Sequence, residues 1–287
     1  MRFAKGHGTG NDFVILPDPD GLLDLPASLV ARMCDRRFGV GGDGVLRVVR
    51  TGAAGGEVPG GQDAAEWFMD YRNADGSVAE MCGNGVRVFV RYLLDAGLAT
   101  GPELAVATRA GLRQVREEAD GELTVAMGGA RLTGEGAVEL GGQRLDGLSI
   151  SVGNPHLACV IASSVWDVDL TRPRLLGPEG PPGGVNVEVL RITGEHELEM
   201  RVHERGSGVT LSCGTGSVAA AVAAAVAAGD WQAGRELPWV VHVPGGRLTV
   251  TPSATASLLR GPAEIVASGE LAVSWLADLA PAGLSAI

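Results

Sequence analysis

Two cysteines stand in the same four-residue setting, Cys82-Gly-Asn-Gly85 and Cys213-Gly-Thr-Gly216, each followed by an apolar run, to Leu94 in the first case and Ala228 in the second. Flanking glycines permit a tight turn with close backbone approach. A helix beginning there points its unbonded N–H groups and positive dipole end back at the turn. That setting draws a thiol toward ionisation and offers a place for a carboxylate. A thiolate next to a bound carboxylate can remove an α-proton, because the charge that develops meets preorganised donors. Inversion at that carbon needs a base on one face and an acid on the other, and two equivalent cysteines supply both.

The two motifs belong to a longer internal repeat. Met69-Asp-Tyr-Arg-Asn73 and Met200-Arg-Val-His-Glu204 precede the cysteines at the same offset of 131 residues. Gly10-Asn11 and Gly153-Asn154 match at an offset of 143, and Ala110-Gly-Leu-Arg-Gln-Val115 matches Gly245-Gly-Arg-Leu-Thr-Val250 at 135. The 12-residue discrepancy falls on the Gly/Ala-rich stretch from Thr51 to Asp63, which reads as an extra loop in the first half. Ordered matches with no short period indicate a duplicated domain of strands, one helix and more strands, not a solenoid.

The helices differ between the halves. From Val218 to Ala228 only Val and Ala occur, so no face is polar and the helix must be buried all round, with a sheet curled about it. Arg87, Arg91 and Asp95 interrupt the first helix and predict an exposed edge. A further helix is expected over 26–36, leading into a β-rich Val45–Arg50.

Composition excludes several chemistries. The net charge of −11 with a pI near 4.9 argues against a polyanionic partner, so nucleic acid is not expected. No leader-like apolar region opens the chain and no stretch is long enough to span a bilayer, which predicts a cytoplasmic protein without a membrane partner. The four cysteines, Cys34, Cys82, Cys159 and Cys213, include no C-x-x-C, so no metal site is expected and the thiols read as free. Cys34 and Cys159, without flanking glycines, read as core thiols. Lys5 is the only lysine and sits in a first strand, which leaves a pyridoxal cofactor no Schiff-base partner. No cofactor is expected. Gly39-Val-Gly-Gly-Asp-Gly44 has the spacing of a dinucleotide turn, but it follows a helix and precedes a strand, the reverse of what nucleotide binding requires.

In ordered motifs over nearly its whole length the sequence resembles the diaminopimelate epimerases. The likeness is carried by His7-Gly-Thr-Gly-Asn-Asp-Phe13, Asn73-Ala-Asp-Gly-Ser77, Met81-Cys-Gly-Asn-Gly85, Gly153-Asn-Pro-His156, Val185-Asn-Val187, Glu204-Arg-Gly206, Cys213-Gly-Thr-Gly216 and Pro244-Gly-Gly246. The resemblance implies an α/β fold of the α+β type: two pseudo-symmetric domains, each a curled mixed or antiparallel barrel around a central helix, with the active site in the cleft between them. The domains would be 1–119 plus 262–287, carrying Cys82, and 120–261, carrying Cys213. It implies cofactor-independent conversion of L,L-2,6-diaminopimelate to the meso form, in lysine and peptidoglycan biosynthesis, by a homodimer. Cys82 would face the L-configured carbon and Cys213 the D-configured one. Substrate would be held by Asn11, Asn73, Gly83, Asn84, Asn154, Asn186, Glu204, Arg205, Gly214 and Thr215, with His156 and Glu204 important for activity.

A substrate with two carboxylates and two ammonium groups needs an arginine and several acceptors at its non-reacting end, and Arg205, Glu204 and the asparagines are of those kinds. The same asparagines also suit turns. Three departures accompany the likeness: Gly44 stands where some members have a substrate-binding glutamine, Val209 where a glutamate is usual, and Ala267 or a neighbour where a dimer-forming tyrosine occurs. Proline racemase and hydroxyproline epimerase share the two-cysteine arrangement, and a redox module forming a Cys82–Cys213 disulfide is the alternative from another class.

Overall fold

A computed structural model describes residues 1–59, 65–177, 183–232 and 234–277. In chain order the elements are β1 (Arg2–Gly8), β2 (Asn11–Pro17), α1 (Ala27–Cys34), β3 (Gly44–Arg50), β4 (Trp67–Asn73), α2 (Gly83–Asp95), β5 (Glu103–Thr108), β6 (Gly111–Glu117) and β7 (Leu123–Gly128). There follow β8 (Arg131–Leu140), β9 (Gln143–Ser151), β10 (Pro155–Val160), β11 (Arg174–Leu176), β12 (Asn186–Gly194), β13 (Glu197–Glu204), β14 (Gly208–Thr210) and α3 (Gly214–Ala228). The chain ends with β15 (Trp239–Val243), β16 (Gly246–Thr251), β17 (Ser257–Gly261), β18 (Glu264–Glu270) and α4 (Val273–Ala277). They form two compact units, one of Met1–Gly8, Asp12–Val115 and Ala263–Ile287, the other of Thr9–Asn11 and Arg116–Pro262.

In the first unit the strands run β18-β1-β2-β3-β4-β5, with β1 antiparallel to β18, β2 parallel to β3, β3 antiparallel to β4 and β4 parallel to β5. These strands pack around α2. Close approach is possible because the buried positions of β1 are Ala4, Gly6 and Gly8, small residues in strict alternation. Arg87 is fully buried, contrary to the exposed edge expected for it; that edge is instead formed by Arg91, Tyr92 and Asp95. Its polar end stays inside because Nη2 donates to Asn84 Oδ1 at 2.9 Å. The first unit also buries Asp70 among arginines, with Arg72 and Arg109 each at 2.8 Å and Arg47 at 3.5 Å.

The second unit repeats this connectivity. Strand β10 is parallel to β12, β12 antiparallel to β13, and β13 parallel to β15, as β2, β3, β4 and β5 are in the first unit. Strand β9 is antiparallel to β10 and to β8, and β16 and β17 extend the other edge to β7. The helix α3 lies within this wall and is buried from Gly216 through Ala225, its last turn emerging, as an all-Val/Ala sequence demands. The outer face of β10 and β12 is covered by an apolar layer including Val138, Leu140, Leu145, Leu157, Cys159, Val187 and Val189. Cys34 and Cys159 are buried as expected, and burial pushes their thiols up to about 11 and about 12. The mixed α/β fold of two strand-wrapped helices is the fold expected from the sequence.

Candidate active site

Both motif cysteines are the N-cap residues of their helices, with extended backbones at φ −136°, ψ 122° for Cys82 and φ −125°, ψ 120° for Cys213. In each, the sulfur takes the place usually filled by a Ser or Asp oxygen, accepting from the amide three residues on: Gly85 N–H to Cys82 Sγ and Gly216 N–H to Cys213 Sγ, both at 3.4 Å. The next amide closes the first helical bond to the cysteine carbonyl, at 2.8 Å in both units. The remaining N–H groups of the first turn have no carbonyl four residues back and are the natural seat of a carboxylate.

In the Cys82 turn, the Gly85 position faces the side-chain ends of Leu46 and Phe13. Gly83, Asn84 and Gly85 are buried, and the Asn84 carboxamide is engaged by Arg87. Asn73, last residue of β4, donates from Nδ2 to Ser77 Oγ at 3.0 Å and closes the Asn73–Ser77 turn together with a main-chain bond between the same two residues. Gly44 lies opposite Asn73 across β3 and β4, and a Cβ there would sit 2.4 Å from the Arg72 carbonyl and 2.7 Å from the Tyr71 ring. Glycine is thus required on steric grounds, and the Tyr71 ring occupies the space into which a glutamine would extend. Asn11 opens β2 and is grouped with the second unit; Lys5 is paired with Asp12 at 2.6 Å, its Nζ also donating to the Gly41 carbonyl.

Around Cys213 the setting is polar, with its side chains linked in series by hydrogen bonds. Thr215 Oγ1 lies 3.6 Å from Sγ, Asn154 Nδ2 donates to Thr215 Oγ1 at 3.2 Å, and Asn154 Oδ1 meets His156 Nε2 at 3.0 Å. His156 Nδ1 meets Glu188 Oε1 at 2.7 Å. Glu204 accepts from Thr210 Oγ1 at 2.5 Å and lies close enough to Cys213 for its charge to act on the thiol. Asn186 Oδ1 accepts from the Arg205 amide at 3.0 Å, which fixes the β13–β14 turn and leaves the Arg205 side chain exposed. Val209, which departs from the usual glutamate, is exposed on β14.

The electrostatics of Cys213 reverse the expectation from its helix start. Burial and the charges of Glu204 and Glu188 push its thiol well above the ordinary range, against a smaller downward effect of Thr215. The dipole favours the thiolate, but desolvation with two carboxylates nearby outweighs it. Cys213 therefore rests as a thiol. Glu188 was not singled out from sequence. The signal was one charged residue inside the apolar strand Asn186-Val-Glu-Val-Leu190, one position past the Val185-Asn-Val187 motif. Among the described residues, no group of His, Cys, Asp and Glu side chains is arranged to hold a metal ion, and no helix is long and apolar enough to cross a membrane.

The profile of the diaminopimelate epimerase family matches residues 3–133 and 148–266. The chain belongs to the diaminopimelate epimerase family. The diaminopimelate epimerase of Thermobifida fusca is 57% identical over 279 residues, spanning 96% of this chain and all of that protein. That of Mycolicibacterium smegmatis is 50% identical over 290 residues, spanning 96% and 98%. Membership makes the chain an isomerase of the epimerase kind. Among solved structures, a phenazine biosynthesis protein of the PhzF family from Bacillus anthracis aligns with a TM-score of 0.65 at 17% identity, over 95% of this chain and 99% of that one. A probable proline racemase from Agrobacterium radiobacter aligns with a TM-score of 0.64 at 15% identity, over 95% and 93%. At such identities these two establish that the diaminopimelate epimerase fold is shared, and nothing of substrate.

Proposed function

We propose that the chain converts L,L-2,6-diaminopimelate to the meso form without a cofactor, Cys82 and Cys213 acting as base and acid on one α-carbon. In the forward direction the Cys82 thiolate removes the α-proton from the L-configured carbon. The Cys213 thiol delivers its own proton to the opposite face, leaving Cys82 as thiol and Cys213 as thiolate. The carboxylate next to the reacting carbon takes up the developing charge against first-turn N–H groups, those of Gly83 and Asn84 after Cys82 and of Gly214 and Thr215 after Cys213. Glu204, Arg205 and Asn11, Asn73, Asn154 and Asn186 recognise the ammonium and carboxylate groups, with His156 and Glu204 governing the state of Cys213. The product serves lysine and peptidoglycan synthesis, and the enzyme works as a cytoplasmic homodimer.

One observation carries this reading: the same N-cap geometry holds a cysteine at the same place in two units of the same connectivity. A structural cysteine has no reason to recur so, whereas inversion at carbon requires two groups. The raised Cys213 thiol supports its assignment as the donor in the forward direction. The test is solvent-deuterium incorporation at Cα of L,L-diaminopimelate with Cys82→Ser and Cys213→Ser. Full incorporation by Cys82→Ser, or conversion to the meso form by either variant at the rate of the unaltered chain, would overturn the two-base assignment.

A further inference from the structure

The two units place different floors beneath their cysteine turns. Across β2 and β3, Phe13 is opposite Gly44 and Ile15 opposite Leu46; across β10 and β12, His156 is opposite Asn186 and Ala158 opposite Glu188. Leu46 and Glu188 therefore hold equivalent places, as do Phe13 and His156. The motif glycines register this directly. A Cβ on Gly85 would meet Leu46 Cδ2 at 3.4 Å and Phe13 Cζ at 3.5 Å, whereas one on Gly216 would lie 2.8 Å from Glu188 Oε1 and 3.4 Å from Cys213 Sγ. An apolar pair underlies Cys82, and a carboxyl–imidazole pair underlies Cys213.

Hydrogen-bond roles fix how that pair is used. Asn154 gives its Nδ2 hydrogens to Thr215, so its Oδ1 faces His156 Nε2 and Nε2 must carry a proton. The second proton then lies between His156 Nδ1 and Glu188 Oε1, 2.7 Å apart. With Asn154 donating to Thr215, the Thr215 hydroxyl hydrogen is left to point at Cys213 Sγ. Donors thus run in one direction, from His156 through Asn154 and Thr215 to the sulfur. Both side chains of the pair are wholly buried, and Glu188 Oε2 has no hydrogen-bond partner among the described residues. The titratable groups facing this site are His156 on β10, Glu188 on β12, Glu204 on β13 and Cys213 itself. Burial pushes Glu188 up, which keeps the shared proton within the pair.

We propose that Glu188 is a positioning residue for the half-reaction at Cys213, holding His156 so that the Asn154–Thr215 chain presents a donor to the sulfur, and placing a carboxyl group under the Gly216 turn. The proposal rests on the two-base reading above. Carboxylate character under the turn favours the Cys213 thiol before proton delivery, and the Thr215 hydroxyl stabilises the thiolate afterwards. The Leu46 and Phe13 floor can do neither for Cys82.

Glu188→Gln keeps the shape and can donate to His156 Nδ1, preserving the chain of donors while removing the acid. Glu188→Leu removes both. The titration of Cys213 is followed by thiolate ultraviolet absorbance in full-length Cys82→Ser, as the difference from Cys82→Ser/Cys213→Ser, with and without each Glu188 change. Glu188→Gln is expected to lower the Cys213 midpoint by at least about half a pH unit, a roughly threefold rise in thiolate fraction below it. In chains retaining both cysteines, Glu188→Leu should lower kcat by about 10–100-fold, and Glu188→Gln by less. A Cys213 midpoint unmoved in Glu188→Gln would overturn the proposal, as would a Glu188→Leu variant as active as the unaltered chain. Failure of the two-base reading shows separately, as an unaltered chain that does not exchange the α-proton. The absorbance titration needs no turnover, and Glu188→Gln keeps it decisive if Glu188→Leu does not fold.

Discussion

Substituting the last glycine of each cysteine motif should have opposite effects in the two units. Gly85 and Gly216 both lie in the first turn of a helix with negative φ, so alanine at either place should gain about 1 kcal/mol from helix propensity. At Gly85 the new methyl would meet Cys82 Cβ at 3.3 Å and two apolar side-chain ends beyond it, a tight but yielding fit. Gly85→Ala should be between neutral and about 1 kcal/mol stabilising. At Gly216 the methyl would lie 2.8 Å from Glu188 Oε1. Ordinary contact requires the carboxyl to retreat by about 0.6 Å, and Glu188 is fully buried and bonded to His156. Losing that charge-assisted bond costs about 1.5–3 kcal/mol, so after the helix gain Gly216→Ala should be about 0.5–2 kcal/mol destabilising. Guanidinium unfolding followed by the fluorescence of Trp239, buried in the second unit, measures the effect. In Gly216→Ala/Glu188→Ala the two changes should cost less than their sum, since methyl and carboxyl no longer compete. A Gly216→Ala protein as stable as Gly85→Ala would refute the steric argument and the position given to Glu188.

Other outcomes follow from the same geometry. Replacing Gly44 with Gln should destabilise the first unit by about 1–3 kcal/mol and leave substrate affinity no better, because the Arg72 carbonyl and the Tyr71 ring fill the space; urea unfolding and KM check the two halves. Asp70→Ala should cost about 3–5 kcal/mol by leaving buried arginine charge unmatched, measured by thermal unfolding. For Asp70 itself, burial raises the carboxyl, but bonds and charge from Arg72 and Arg109 outweigh this and the net direction is down. Its contribution is therefore complete above the unfolded value of about 3.9 and fades as pH falls through the lower folded one, so Asp70→Asn should flatten acid unfolding over that window. Because the Cys213 thiol is held above the ordinary range, it should still be protonated where Cys-containing peptides have ionised, which thiolate absorbance reads directly. Cys82→Ser and Cys213→Ser should each lose about 10²–10⁴-fold in epimerisation rate, followed by a coupled assay for the meso product.

Much of the fold was legible because it rests on patterns that physics makes redundant. A Val/Ala helix has one solution, burial within strands, and the repeat of strand, turn and C-G-x-G motif implied the same connectivity twice. Arg87 was misread because periodicity assigns a charged residue to the solvent side, and only the strand geometry around α2, with Gly8 allowing close approach, lets a guanidinium bond Asn84 inside. The site was legible as a set of residue types but not as a network. Nothing in Asn154, His156 and Thr215 as letters reveals that they bond in series, since the links join β10 to a helix about 60 residues on. Glu188 was missed for the same reason, its partner lying on a parallel neighbouring strand. The direction of the Cys213 shift depended on which of dipole, desolvation and carboxylate charge prevails, and only burial and distance decide among these.

In the proposed reaction two cysteines, without a cofactor, exchange the α-proton of one substrate carbon. Proton NMR of L,L-diaminopimelate in deuterated buffer with the unaltered full-length chain and nothing else added tests it most directly. Loss of the α-proton signal with appearance of the meso isomer is expected, and neither when both cysteines are serine. Exchange that persists in the double variant, or none with the unaltered chain, would contradict it.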